Sequence, residues 1–205
     1  MSPQRKRVIA PSKAVARPAA RAALMRSALT LFVRDGVDGT SIRDIATATP
    51  FTNAAIFRHF ASKEALALNL FEQCYDDIAT TVGAPIPSAK YPEQMRVVIG
   101  RYLQTMDENL EGALYMQENL RRFWPKLPKS PHRISLLGHM RGLIASGIQQ
   151  GTVSPDKDQK LLVAAIIGLL GQFARMMYFK EFSGPATEFG GRLSELVIDM
   201  GSRRR

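Results

Sequence analysis

Two groups of side chains in this 205-residue chain have the types and spacing to do chemistry on a partner. The first lies in Thr40–Phe60, TSIRDIATATPFTNAAIFRHF. Asn53 offers an amide that can bond bidentately to adenine, and Arg58 a guanidinium that can do the same to guanine. Ala54 and Phe57 stand with them as apolar neighbours. The second group is Tyr102, Met106, Tyr115, Met116, Phe123, Trp124, Met140, Met176 and Met177. Polarisable methionines and aromatics of this kind can line an adaptable pocket for an apolar ligand, although at helical spacing they serve as plain core just as well. Gln117, Glu118, His139 and Arg175 are the polar groups placed to orient such a ligand.

Catalytic chemistry has no comparable constellation. Phosphate loops, nucleophile elbows and HExxH patterns do not occur. The histidines, His59, His132 and His139, lack the Cys or acidic spacing of a metal site, so no metal, cofactor or catalytic residue is assigned. The lone cysteine, Cys74, falls in an apolar helical row and reads as a buried thiol in a reducing compartment.

The elements that must position the first group are short. Thr40 or Ser41 caps a helix, with Asp44 in the reciprocal capping position, and Ile42, Ile45 and Ala46 make its apolar stripe. Pro50 stops it. Thr52 caps a second helix, and Phe51 and Ile56 stand at the spacing of a hydrophobic staple. Ile56 and Phe60 turn inward, which leaves Asn53, Ala54, Phe57 and Arg58 outward. Two short helices joined by a tight turn, the second presenting small and basic side chains, predict a DNA-reading helix-turn-helix.

Charge supports that placement. Residues 1–60 hold ten basic and three acidic side chains, a net +7 of the chain's +10. The positive field therefore sits at the end that would meet a polyanion. The basic, proline-punctuated start, residues 1–17, predicts a disordered arm. The apolar run Leu161–Gly171 is too short to span a bilayer and reads as a buried helix, so no membrane is expected and the chain is placed in the cytoplasm.

Elsewhere helical periods dominate and no stretch prefers strand. A bracing helix opens at Pro18, carries Leu24, Ala28, Leu31 and Phe32, and closes at Gly36. After the motif a long helix starts at Lys63 behind a Ser62 cap. Separate helices are expected from Pro92 to Met106 and from Gly112 to Trp124. Three more open at Ser130-Pro131 (with Leu137, Met140, Ile144 and Ile148 inward), at Ser154-Pro155-Asp156, and at Gly184-Pro185. The total is an all-α chain of about nine helices. Its expected divisions are the arm, a DNA-binding domain over 18–62, and a helical effector-binding and dimerisation domain over 63–205.

With those residues in view, the chain resembles the TetR family of bacterial transcriptional regulators. The residues that carry it are Thr40–Leu66, TSIRDIATATPFTNAAIFRHFASKEAL, with the bracing helix before them. The resemblance implies backbone contacts by Thr40, Ser41 and Arg43, and a recognition helix starting at Thr52, Asn53, Ala54 and Ala55. It also places the family's phosphate contacts at positions 57, 59 and 63, although Phe57, without a hydroxyl, offers only apolar contact to a sugar or thymine methyl. Phe57 and His59 stand where the family commonly has tyrosines, Lys63 matches its phosphate-binding lysine, and Pro50 replaces its turn glycine. The implied protein is a repressor that binds a palindromic double-stranded DNA operator as a homodimer and is released by a small apolar effector. The contact surface expected for the dimer is Ala164, Gly168, Gly171 and Gln172 with Leu193, Leu196, Val197 and Met200. An architectural DNA-binding protein without an effector, or an all-helical enzyme, are the other readings.

Overall fold

A computed structural model describes residues 13–86, 90–129 and 133–202, with 13–19 as backbone alone. Among the described residues there are eight α-helices and no strand. They are α1 (Lys13–Gly39), α2 (Ile42–Thr47), α3 (Asn53–Phe57), α4 (Lys63–Gly83), α5 (Tyr91–Phe123), α6 (Leu136–Gln149), α7 (Gln159–Tyr178) and α8 (Gly190–Gly201). Single 3-10 turns follow α5 at Trp124–Lys126 and precede α8 at Ala186–Phe189. The contacts divide the chain into two compact units, Met1–Leu66 and Ala67–Arg205.

In the first unit α1 starts at Lys13, ahead of the expected Pro18. The alanine-rich KAVAR segment is a strong helix former, and it extends the helix into what reads by composition as an arm. The rest of that arm lies outside the described residues. Leu24, Ala28 and Phe32 are buried as expected. Gly36 takes φ 77°, a conformation that suits glycine, and the chain then runs on as a turn to Gly39. The Thr40 hydroxyl fills the end of this helix, donating to the Gly36 carbonyl at 2.9 Å. Thr40 is therefore not the cap of α2. That place belongs to Ser41, whose Oγ accepts from the Asp44 N–H at 3.1 Å while Asp44 Oδ2 accepts from the Ser41 N–H at 2.7 Å.

In the second unit α5 is the hub, packed against α6, α7 and α8. The two helices expected here are one helix interrupted at Asn109 (φ −157°, ψ 75°), which brings the α-helix count to eight. Asn109 Oδ1 accepts from the Gly112 N–H at 2.9 Å, so the side chain caps the second half where the backbone ladder breaks. Gly147 lets α6 close onto the start of α5, since a Cβ there would lie 2.6–2.8 Å from Val153 and Tyr91.

Two helix starts differ from expectation. The cap of α6 is Ser135, accepting from the Gly138 N–H at 3.1 Å, whereas 130–132 fall outside the described residues. The cap of α7 is Asp158, whose Oδ1 accepts from the Lys160 and Leu161 N–H groups. Ser154 is instead buried, with its N–H given to the Gly201 carbonyl at 2.9 Å. Leu137, expected inward, is exposed. Leu143 and Gly147 are buried beside Met140 and Ile144, so the buried stripe of α6 runs on their side.

One charged cluster ties the α5–α6 connection to α4. Arg133 donates through Nε to Asp76 at 3.0 Å, and through its other nitrogens to Glu72 (2.5 Å) and the Pro128 carbonyl (2.6 Å). Next to it the Tyr75 hydroxyl donates to the Ile134 carbonyl and accepts from the Leu136 N–H.

Candidate nucleic-acid interface

Local rules hold α3 in place. The Thr52 Oγ1 accepts from the Ala55 N–H at 3.2 Å, and the Arg58 and Phe60 N–H groups close onto the Ala54 and Ile56 carbonyls. Ile56 is fully buried and Phe60 nearly so, with the Arg21 guanidinium over the Phe60 ring at 5.3 Å. That anchoring leaves the other side of α3 outward. Thr52, Asn53, Ala54, Phe57, Arg58 and His59 are all exposed, as are Ser41 and Arg43 from α2. The His59 ring stands edge-on to Phe51, centroids 6.2 Å apart. Pro50 is accommodated in the turn, with Thr49 Oγ1 accepting from the Phe51 N–H at 3.4 Å.

Two expected contact residues are placed differently. The Thr40 side chain is buried, its hydroxyl committed to α1, so it does not share the outer surface. Lys63, at the start of α4, extends Nζ onto the Thr40 carbonyl at 2.8 Å and the Asp38 carbonyl at 3.4 Å. It satisfies carbonyls at the end of α1 and just beyond it, a role that its place in a motif does not disclose. An ammonium has three protons, so this docking still leaves one for a phosphate.

The second set of residues is less cohesive. Tyr102, Met106, Tyr115, Met116, Phe123 and Met140 are buried. Tyr102 receives the Gln117 amide at 2.6 Å, and Tyr115 donates to the Ala67 carbonyl at 2.9 Å. Burial pushes the Tyr102 phenol well above its ordinary pKa. Trp124 is partly exposed and meets the Tyr75 ring at a tilt of 48°, centroids 4.8 Å apart, while Met176 is half-buried. Two clefts of about 420 Å3 each open in this unit. One is walled by Met106, Leu110, Met177 and Phe182 with Asp107 and Lys180. The other runs beside the break at Asn109, between Cys74, Asp77, Thr81 and Glu108. Neither is lined by Trp124 or Met176, and of the expected residues Met106 and Met177 border the first. Leu110 and Phe182 were missed because which side of a helix meets a gap is set by packing. Of the polar candidates, Glu118 and Arg175 pair at 3.8 Å. His139 is half-buried with Nε2 unpartnered, and desolvation together with nearby Arg101 lowers its pKa.

A third surface appears on α7. Leu161 and Phe179, at its two ends, are 69% and 70% exposed, and Ala164, Ala165, Gly168 and Gln172 are exposed between them. By length and mean hydropathy (1.7) α7 could cross a membrane, and it is 33% buried within the chain, so it is not the enclosed helix expected. Gly171 leaves the expected contact surface, because its Cβ position lies 2.8 Å from the Gln117 amide oxygen. Leu193 and Val197 are spent on the unit's own core, while Leu196 remains half exposed.

Among the described residues no group of His, Cys, Asp or Glu is arranged to hold a metal. What the fold and the outer surface of α3 define, among the described residues, is an all-helical protein with an N-terminal helix-turn-helix followed in sequence by a larger helical unit. Residues 24–70 match the family described as bacterial regulatory proteins, tetR family. Over that domain the chain is similar to this family. The HTH-type transcriptional regulator TcmR of Streptomyces glaucescens is 35% identical over 98 residues, 45% of this chain and 43% of that protein. The HTH-type transcriptional repressor DhaR of Mycobacterium sp. (strain GP1) is 26% identical over 98 residues, 48% of each. The match thus spans less than half the length of these curated relatives. A tetR-family regulatory protein from Rhodococcus RHA1 superposes with a TM-score of 0.74 over 95% of this chain and 100% of that one, at 20% identity. PfmR, a TetR family transcriptional regulator from Thermus thermophilus, gives 0.69 over 88% and 99%, at 21% identity. At such identities the likeness is one of fold, and it extends through the second unit.

Proposed function

We propose that the chain is a cytoplasmic transcriptional repressor that binds a palindromic duplex operator as a homodimer and is released by a small, largely apolar effector. The observation that carries the reading is the outer surface of α3. Asn53, Ala54, Phe57 and Arg58 are exposed over a buried Ile56, within a segment whose net charge is +7. Asn53 and Arg58 have the donor geometry for adenine and guanine edges, and Ser41, Arg43, Thr52, His59 and the remaining proton of Lys63 suit phosphates. Selecting bound duplexes from a random pool tests this directly. The expected outcome is an inverted repeat with half-sites one helical turn, ~34–36 Å, apart. Failure to retain any duplex at low salt overturns the reading.

The dimer rests on the apolar, small-residue surface of α7 with Leu196 of α8. Ala165 and Gly168 permit close approach of a second helix, and a two-fold axis makes such a surface self-complementary. The effector site best supported is the cleft walled by Met106, Leu110, Met177 and Phe182. An effector shifts DNA binding only through unequal affinity for two states of the protein. The element common to both units is α4, whose first turn lies in the first unit (the head, Met1–Leu66) and whose remainder lies in the second (the body, Ala67–Arg205). Titration with 1-anilinonaphthalene-8-sulfonate tests the cleft: Met177→Trp is expected to abolish the fluorescence rise while leaving DNA affinity intact. An unchanged rise removes this cleft from the proposal.

A further inference from the structure

We infer that Phe57 reads the C5-methyl group of a thymine in each half-site, a specificity contact that rests on the DNA-binding reading above. Phe57 is 51% exposed, the large apolar residue on an otherwise polar and basic surface. It is not a spare core residue, because Ile56 and Phe60 already supply the inward anchors on either side of it. On a helix, position 57 lies one turn beyond 53 and 54, so the ring and the Ala54 methyl share a side with the Asn53 amide. Arg58 follows in the sequence with its side chain exposed. The result is an apolar spot bordered by a base-reading amide and a cation.

The chemistry of the partner follows from that arrangement. A phenyl ring has no donor and gives nothing to a phosphate oxygen. The major-groove edges of base pairs are polar except for one group, the thymine methyl. Half of this ring stays in water until something apolar covers it, and the adjacent amide and guanidinium bring it to base edges. Covering a single methyl is worth about fourfold in affinity, on a transfer free energy of about 0.8 kcal/mol per buried carbon.

The experiment scans the selected operator with deoxyuridine in place of each thymidine, which deletes the methyl and leaves every hydrogen-bonding edge intact. For the unaltered chain one position per half-site is expected to lose about fourfold in affinity, with the rest unchanged. For Phe57→Ala the thymidine and deoxyuridine duplexes are expected to bind alike at that position, with an unaltered salt slope because no phosphate contact has been removed. Phe57→Leu, which keeps apolar bulk, is expected to restore part of the difference. The inference is overturned if deoxyuridine is silent at every position, as it would be were the ring packed on a sugar. It is equally overturned if Phe57→Ala shows the same loss as the parent, since another group would then read the methyl. A chain that selects no duplex breaks the underlying DNA reading; one that selects duplex but ignores methyls breaks this inference alone. Because Phe57 is half exposed, Phe57→Ala should melt with the parent chain, and the scan on the unaltered chain is decisive without it.

Discussion

Two helices of this molecule, α3 and α7, expose side chains that a protein in isolation has no reason to expose, and they do so in opposite ways. The five residues of α3 bury one apolar side chain, Ile56, and show amide, methyl and ring outward with Arg58 just beyond. The twenty residues of α7 bury Leu162, Val163, Ile166, Leu170 and Phe173, then show a second apolar side to water. A polar, basic surface asks for a polyanion, whereas an apolar surface with glycine and alanine at its centre asks for another helix. The difference also separates two kinds of specification. α3 is fixed by neighbours in sequence, through the Thr52 cap and the turn at Pro50. α7 takes its meaning from what already covers it.

The sharpest way to break the comparison is to put a charge into the centre of the α7 surface. A Cβ at Gly168 has nothing within 4 Å, so Gly168→Arg does not disturb the chain's own packing. If a second copy covers this surface, an unpaired guanidinium buried there costs about 3–5 kcal/mol, at least a hundredfold in dimer dissociation. Sedimentation is expected to show a monomer with native helical content, and operator affinity to fall with the loss of bivalency. A variant that remains dimeric at micromolar concentration refutes the assignment. Gly171→Val, one turn further along, separates interface from core. Its side chain meets the Gln117 amide, so the expected effect is about 1–3 kcal/mol of stability by thermal melting, with no change in oligomeric state.

Arg133 extends the comparison into the body. Its side chain is 11% exposed and is bonded to Glu72 and Asp76. Arg133→Met removes the donors and leaves two carboxylates facing each other without their cation. A loss of about 1–3 kcal/mol in denaturant unfolding is expected. An unchanged midpoint would mean that solvent replaces the guanidinium at no cost.

How much of this was legible beforehand divides along the same line. The Ser41–Asp44 capping box, the Thr52 cap and the inward turn of Ile56 and Phe60 were all readable, because each involves residues within four positions of one another. The break at Gly36 was readable too, from glycine's freedom at positive φ. Asn109 was not, since a helix broken by its own capping side chain has the same apolar period as two separate helices. Nor was the destination of Lys63 Nζ, because the carbonyls it meets lie more than twenty residues away in sequence. Leu193 and Val197 share a period with Leu196. Only the packing of α8 on α5 decides that the first two are core while the third is half exposed.

Cys74 gives a chemical check on the body without altering it. Burial pushes its thiol up to about 12, with Asp77 adding to the shift. A thiol raised in the folded state contributes stability that is intact at neutral pH and is lost as pH climbs from its ordinary value toward 12. Native protein at pH 8 is therefore expected to react with a disulfide reagent only as fast as it opens, and at the rate of free cysteine once unfolded. Fast native labelling would mean that the row Leu70, Cys74, Ile78 is more open than its burial indicates.

The smallest expected effect compares two serine caps, Ser41 on α2 and Ser135 on α6. Each accepts an N–H three residues on at 3.1 Å, so the lost hydrogen bond is the same and worth about 1 kcal/mol. Their helices differ. α2 is six residues long and buries Ile45 alone, whereas α6 is fourteen residues long and buries Met140, Leu143, Ile144 and Gly147. Ser41 also bonds Asp44 through hydroxyl and backbone, which lowers that carboxyl's pKa. A carboxylate with a lowered folded pKa contributes stability present above its ordinary value and lost as pH falls through the folded one. Ser41→Ala is therefore expected to loosen α2 in amide exchange and to flatten the acid dependence of the head, whereas Ser135→Ala leaves α6 protected by its buried face. Equal exchange rates in α2 and α6 after the two substitutions would show that tertiary packing holds the head as firmly as the body, and the contrast between locally fixed and globally fixed helices would then fail.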